Sequence, residues 1–159
     1  MKMKVKKNLL VGLLPIFLSS NILAWTTETS DDVWRSGWGQ GISESEVTYG
    51  SGNRIYVACH EPLSWGGSSI SISLGGMEFP NSELLIRFDN GKLESFHTDK
   101  RGYIESDSRV GDAQFHYLID HFKKHKKVYI RAPNGYQSTF TLKGSTKALG
   151  SDCKSGFSY

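Results

Sequence analysis

The sequence lacks the motifs that usually mark redox, metal or hydrolase chemistry. It has two cysteines among 159 residues, and they lie too far apart for the C-x-x-C pair of a redox-active protein. It contains no G-x-S-x-G nucleophile motif, no H-E-x-x-H metal motif and no D-x-D-x-D-G calcium loop. We therefore expect neither an enzyme nor a protein with a cofactor or a bound metal.

The chain also lacks an uninterrupted apolar run of about 20 residues, the length that spans a bilayer. Its first residues carry four lysines, then a short apolar run over 9–18 that Gly12 and Pro15 interrupt, and then the small residue Ala24. This order is typical of a secretory signal peptide. We predict a signal peptide over 1–24 and export to the periplasm or beyond, with an uncleaved anchor as the alternative.

Removing that segment changes the charge of the protein. Four of the 19 basic residues lie within 1–24 and all 16 acidic residues follow it, so the mature chain carries 15 basic and 16 acidic residues, a net charge of −1 with histidine neutral. The basic sequence pI of about 8.8 therefore belongs to the signal and does not indicate nucleic-acid binding.

The two cysteines, Cys59 and Cys153, both lie in the mature part. In an oxidising compartment such a pair is typical of a structural disulfide, which here closes a loop that the chain-entropy model values at roughly 4 kcal/mol. Two free thiols are the alternative.

Alternating apolar residues predict several strands after residue 53. The segments are 54–60, 68–74, 83–88, 93–98, 103–106, 128–132 and 138–143. Asn90-Gly91 between two of them is a hairpin signal, because these residues tolerate the positive φ of a tight turn. The pattern therefore favours strands that pair locally and antiparallel.

One amphipathic helix is predicted over about 112–125, with Asp112 as its N-cap. Its apolar stripe recurs at i, i+3, i+4 and i+7 and consists of Phe115, Leu118, Ile119 and Phe122. A short helical turn is expected over 144–149. The predicted fold is thus α+β and mostly antiparallel β, sandwich-like or a meander, with one disulfide-closed domain over 53–159. An irregular Trp- and Gly-rich lead-in over 25–52 precedes it, with one strand around Ser45–Tyr49 as the alternative there.

This layout resembles two families of small exported bacterial proteins, the type VI secretion-associated accessory family and the invasion-associated locus B family. The resemblance is carried by IYVAC, LLIRFDNG, VYIRAPNG and the segment FTLKGSTKAL before the last cysteine. It departs from both families in the short gap before Cys153. It implies an exported, disulfide-closed β-rich domain without a known catalytic site.

Two groups of residues are candidates for binding. The first is a run of histidines and lysines at the end of the predicted helix: His121, Lys123, Lys124, His125, Lys126 and Lys127. The second is a set of aromatic residues: Trp34, Trp38, Tyr56 and Trp65. The lysines disfavour a metal at the histidine pair and favour an anion or an acidic partner, whereas a solvated helix end and a buried or edge-covering tryptophan are the ordinary interpretations.

The leading functional prediction is a non-catalytic envelope protein that binds another envelope or secreted protein, as an inhibitor, an immunity or exclusion factor, or a secretion accessory. Contact with an anionic envelope surface is a further possibility. The alternatives are an exported hydrolase-like enzyme that uses His60, His97 or Glu61, and a pilus- or adhesin-like subunit.

Overall fold

Nine strands and two helices follow one another in the part of the chain that the structure, a computed structural model, describes: residues 31–39, 41–60, 67–150 and 153. The strands are β1 Arg35–Gly39, β2 Ile42–Tyr49, β3 Asn53–His60, β4 Ser69–Ser73, β5 Glu83–Phe88, β6 Glu94–His97, β7 Tyr103–Glu105, β8 Lys127–Arg131 and β9 Gln137–Thr141. The helices are α1 Arg109–Lys124 and α2 Ser145–Leu149.

All strand pairs are antiparallel, and they form two sheets. Sheet I has the order β1-β2-β3-β4-β7, and sheet II has the order β6-β5-β8-β9. Side chains from both sheets and from α1 belong to one hydrophobic core. The predicted α+β, mostly antiparallel fold is confirmed.

The strand periodicity determines which face of each sheet lies in the core. In sheet II, Ile86 pairs with Ile130 and Phe88 with Val128, and all four side chains are buried. The residues between them, such as Arg87 and Tyr129, point to the other face, because successive side chains alternate across a strand. We call this second face, which carries Arg87, Tyr129 and Thr139, the outer face of sheet II.

The long helix buries the predicted apolar stripe but begins earlier than predicted. Phe115, Leu118, Ile119 and Phe122 are all buried. The N-cap is Ser108, whose side chain accepts a hydrogen bond from the backbone N–H of Gly111. The prediction of Asp112 as N-cap is therefore wrong: a serine hydroxyl one turn earlier satisfies the first free N–H groups.

The described part of the lead-in contains two regular strands: β1, which was not predicted, and β2, which includes the strand considered around Ser45–Tyr49. The turn before β1 fastens sheet I to sheet II. Asp32 Oδ1 accepts a hydrogen bond from the backbone N–H of Thr141 at 2.7 Å, and Trp34 Nε1 donates to the carbonyl of Thr141 at 3.0 Å. This segment is therefore part of the domain.

The predicted disulfide joins Cys59, in β3, to Cys153, with the Cα atoms 5.0 Å apart, and both residues are buried. Helix α2, the predicted C-terminal turn, lies just before Cys153 and is held to sheet I where Ser45 Oγ donates to the carbonyl of Ala148 at 2.7 Å. The predicted signal peptide over 1–24 lies outside the described residues. Within those residues, neither helix has the length and apolar character needed to cross a bilayer.

Candidate functional site

The predicted aromatic anchors do not form one surface. Trp34 is buried, 5% exposed, and packs against Phe122 with ring centroids 5.7 Å apart. Trp34 is therefore not available as a binding residue, and the ordinary interpretation of a buried tryptophan is correct: its indole packs in the core and donates a hydrogen bond to the carbonyl of Thr141. Trp38 is 58% exposed on β1. The strand register places Trp38 and Tyr56 on opposite faces of sheet I, and Trp65 lies outside the described residues.

Tyr56 belongs to a network of charged side chains on sheet I. Its hydroxyl donates a hydrogen bond to Glu44, and the guanidinium of Arg54 lies 4.4 Å from its ring centroid. Burial, together with the hydrogen bond to Glu44, raises the pKa of Tyr56 well above its usual range. Beside it, buried Glu46 accepts hydrogen bonds from Arg35 and Arg54. These charges satisfy one another, which indicates a structural role.

The two helical histidines are held in a stack at the end of α1. The His121 ring lies 3.8 Å from the Tyr117 ring and 5.2 Å from the His125 ring, centroid to centroid. Both histidines also contact Phe88, with centroids 5.0 and 5.3 Å apart. Among the described residues, no group of three His, Cys, Asp or Glu side chains could hold a metal ion.

Asp89 fixes the backbone that follows the helix. Its carboxylate accepts a hydrogen bond from His125 Nδ1 at 2.9 Å and from the backbone N–H groups of Lys126 and Lys127 at 3.1 and 2.9 Å. The bond from His125, supported by the two backbone bonds, lowers the pKa of Asp89. The predicted β5–β6 hairpin is present, and its positive φ, +46°, lies at Asp89. This turn holds both lysines at the rim of sheet II.

The predicted lysines divide into two groups. Lys123 and Lys124 lie on the last turn of α1, where Lys124 forms an exposed ion pair with Asp120 at 3.4 Å. Lys126 and Lys127 lie beyond the helix and are exposed. The second group therefore lies at the rim of the outer face of sheet II.

On that surface, Lys126 and Lys127 meet residues that the sequence did not single out. They line a groove of about 500 Å³, which we call the basic groove; its other lining residues are Arg87, Asp89, Asn90, Tyr129 and Thr139. The guanidinium of Arg87 lies 5.0 Å from the Tyr129 ring centroid, a cation–π distance. The sequence offered one signal for this site: the alternation of the predicted strands places Arg87 and Tyr129 at outward-facing positions.

The cations of the basic groove differ from those of sheet I in their pairing. Arg35 and Arg54 of sheet I, and Arg101 in the turn before β7, each form an ion pair with a carboxylate. Within the described residues, Arg87 and Lys127 have no ion pair within 4.0 Å, and the one carboxylate at the groove, Asp89, is already bonded to His125 and to the backbone. Three cationic side chains therefore share the groove with one carboxylate, so its described lining carries a formal excess of positive charge.

A second groove, of about 570 Å³, adjoins the first. We call it the edge groove, because β9 forms one wall while Tyr49 and Asn53 of sheet I contribute to the other. Lys127, Tyr129 and Thr139 line both grooves. His60 and His97, the candidates of the enzyme alternative, line neither groove, and Glu61 lies outside the described residues.

Comparison with known proteins gives one match. The family model described as YfjT matches residues 32–149, which span the chain from the turn before β1 to the end of α2. No curated protein and no solved structure matches. The match does not connect the chain with either of the two families that its strand and cysteine layout resembles.

Proposed function

We propose that this chain, which belongs to the YfjT family, is exported to the cell envelope and acts there by binding an acidic region of another protein. The observation that carries the proposal is the basic groove. Arg87, Lys126 and Lys127 line this groove together with Tyr129 and a single carboxylate, Asp89. Among the described residues no carboxylate forms an ion pair with Arg87 or Lys127, and Asp89 is bonded to His125 and to the backbone.

The composition of the groove supports a protein partner. Tyrosine and arginine are enriched among the residues that dominate binding energy in protein interfaces, and here Arg87 lies against Tyr129. The Tyr129 hydroxyl donates to Gln137 Oε1, which holds the ring in place before any partner arrives. A positive surface of this kind accelerates encounter with an acidic partner and gives a rate that falls with ionic strength.

The experiment compares capture of envelope proteins by two charge-reversed variants. Wild-type protein, the variant Lys126→Glu/Lys127→Glu and the control Lys100→Glu/Lys147→Glu are immobilised and exposed to an envelope extract of the source cell. All four lysines are exposed, so both variants change the net charge equally. We expect the wild type and the control to retain one partner protein. The same partner should bind Lys126→Glu/Lys127→Glu at least about tenfold more weakly, as the loss of close charge pairs predicts.

Equal retention by all three proteins would refute a role for the groove. Equal loss of binding in both variants would show that binding depends on the net charge of the protein and not on the groove. Vesicles containing anionic lipid provide a separate arm. If they bind the wild type and no protein is retained, the ligand is an anionic envelope surface and the protein-binding proposal is wrong.

Export has its own test, because it rests on the lysine-rich, apolar and small-residue order of residues 1–24. The full chain is expressed without tags in a Gram-negative host and the periplasmic fraction is analysed by mass spectrometry. We expect a mature chain that begins at Trp25 and contains a disulfide. A full-length chain that stays with the membrane would instead support an uncleaved anchor.

A further inference from the structure

The strand β9 has one edge without a strand partner in the described part of the chain, since β9 lies at the end of sheet II. Backbone hydrogen bonds identify which residues face that edge. Leu142 N donates to the carbonyl of Lys126 and Ala132 N donates to the carbonyl of Tyr136, so even-numbered residues bond to β8. Because alternate residues of an antiparallel edge strand direct their backbone groups outward, Gln137, Thr139 and Thr141 face the edge groove.

Of these three residues, only Thr141 has its outward backbone groups hydrogen-bonded by residues that the structure describes. The N–H of Thr141 donates to Asp32 Oδ1 and its carbonyl accepts from Trp34 Nε1, so two side chains supply the bonds that a neighbouring strand would supply. No hydrogen bond from a described residue reaches the outward N–H and C=O groups of Gln137 and Thr139. The edge groove thus exposes a short piece of unpaired strand.

The composition of β9 also sets it apart from the other strands at sheet edges. In the described residues, β1 carries Arg35, β6 carries Glu94 and β7 carries Glu105, whereas β9 reads QSTFT and has no charged residue. Charges and prolines on edge strands are the usual protection against strand addition. The absence of both on β9 leaves its edge suited to pairing.

The edge is short and lies beside positive charge. At one end of the edge, Asp32 and Trp34 form hydrogen bonds with the backbone of Thr141. At the other end the Tyr136 ring packs on Gly75, so closely that a Cβ atom on Gly75 would lie 2.6 Å from a ring carbon. Lys127, on β8 opposite Thr141, lines this groove and the basic groove. An extended ligand that pairs with Thr139 can therefore also place acidic side chains against the basic groove.

From this juxtaposition we propose that β9 binds an extended, acidic segment of the partner protein as an added strand, paired through the backbone of Gln137 and Thr139. The inference rests on the proposed function and specifies the form of the partner. Main-chain pairing supplies affinity in this mode of recognition, and side-chain pockets supply specificity. Here an acidic side chain of the added strand faces Lys127, the cation that lines both grooves.

Thr139→Pro tests the pairing without breaking sheet II. Proline removes a backbone N–H, and at Thr139 that N–H points away from β8, a position where edge strands tolerate proline. Thr139→Val is the control, because it changes the side chain at similar volume and keeps the N–H. Circular dichroism and thermal unfolding of the three proteins confirm that each is folded.

The probe is a phage-displayed library of random 12-residue peptides, selected on the disulfide-bonded wild-type protein. We expect acidic peptides to be enriched, and their synthetic forms to bind the Pro variant about tenfold more weakly than the wild type, the effect of losing roughly one hydrogen bond. Binding to the Val variant should be unchanged. When such a peptide binds the 15N-labelled wild type, the backbone amides of Thr139 and Gln137 should become protected from hydrogen exchange with solvent.

The outcomes separate the two proposals. Peptides that bind the Pro variant and the wild type equally, but lose binding to Lys126→Glu/Lys127→Glu, overturn strand addition and leave the basic groove as the binding site. Peptides insensitive to both changes, or no enrichment, overturn both. If the wild type is a dimer and the Pro variant is a monomer, β9 pairs with a second copy of the chain and the proposal is overturned. It is also overturned if an acidic oligosaccharide binds without effect on the Thr139 amide.

Discussion

Trp34 and Trp38 are four residues apart, and the structure predicts opposite consequences for their removal. Trp34 is 5% exposed and Trp38 is 58% exposed. Substitution of each by alanine is therefore a matched pair of experiments. The pair tests whether the segment before β1 belongs to the core of the domain or is a surface lead-in.

The expected cost at Trp34 follows from its burial. A buried aromatic side chain covers about 150–250 Å², which at about 25 cal/mol per Å² corresponds to roughly 4–6 kcal/mol as an upper bound. Large-to-small core substitutions of this kind cost about 3–5 kcal/mol. We expect Trp34→Ala to lower the free energy of unfolding by about 4 kcal/mol and Trp38→Ala by less than about 0.5 kcal/mol, as for most surface positions.

Trp34→Phe separates the packing contribution from the hydrogen bond. Phenylalanine keeps most of the contact with Phe122 but leaves the carbonyl of Thr141 without the indole donor. An unpaired, partly buried acceptor costs about 1–3 kcal/mol, so this variant should fall between the two alanine variants.

The assay is urea unfolding of the disulfide-bonded proteins followed by far-ultraviolet circular dichroism, since tryptophan fluorescence changes with the substitutions themselves. The midpoint should fall in the order Trp38→Ala, Trp34→Phe, Trp34→Ala, with the last lowest. If Trp34→Ala and Trp38→Ala shift the midpoint equally, or if Trp34→Ala costs less than about 1 kcal/mol, the placement of Trp34 in the core is refuted.

Three further perturbations test other parts of the structure. Replacing Cys59 and Cys153 together by alanine should lower the free energy of unfolding by about 4–5 kcal/mol, measured in urea; a loss below about 1 kcal/mol would show that the cross-link constrains the unfolded chain little. Asp89→Asn should be less stable than the wild type at neutral pH, and because the folded pKa of Asp89 is lowered, the difference should be lost as pH falls below about 4; a pH-independent difference between the two denaturation profiles would contradict the His125 bond. Glu46→Ala should cost about 1–2 kcal/mol, since it releases two partly exposed arginines from a buried carboxylate, and an unchanged thermal midpoint would show that they do not need it.

The elements that the sequence predicted well are those whose local pattern and tertiary role agree. Strand β5 was predicted over 83–88 and is Glu83–Phe88, because its alternation and the turn at Asn90-Gly91 both specify a hairpin. The helix stripe from Phe115 to Phe122 is buried for the same reason. The disulfide followed from the presence of only two cysteines in a chain expected to be exported.

Strand β1 was missed and β2 was anticipated only over Ser45–Tyr49, because the stability of both strands depends on distant partners. Ser45 is buried and donates to the carbonyl of Ala148, 103 residues away, and Glu46 is buried by arginines. A window of local sequence shows only serine and glutamate over 43–46, so it lacks the apolar alternation that predicts a buried strand. Only the completed domain provides the partners that permit their burial.

The candidate site was predicted in part. The lysines were evident as a dense basic run, but their separation into a helix-end pair and a sheet-rim pair depends on where α1 ends. The meeting of Lys127 with Arg87, Tyr129 and Thr139 depends on the order β5-β8-β9 and its register. No spacing along the chain specifies that register.

The attachment of Asp32 and Trp34 to Thr141 has a consequence for how the domain is made. These contacts join residues 109 and 107 positions apart, the bond from Ser45 to Ala148 spans 103, and the disulfide spans 94. Contacts between such distant positions slow folding, because the intervening chain must first be closed into a loop. When the chain emerges with its N-terminus first, the C-terminal residues that bond to the first strands of sheet I come last. We therefore expect the domain to stay unfolded until the whole chain has emerged, and then to fold as one unit.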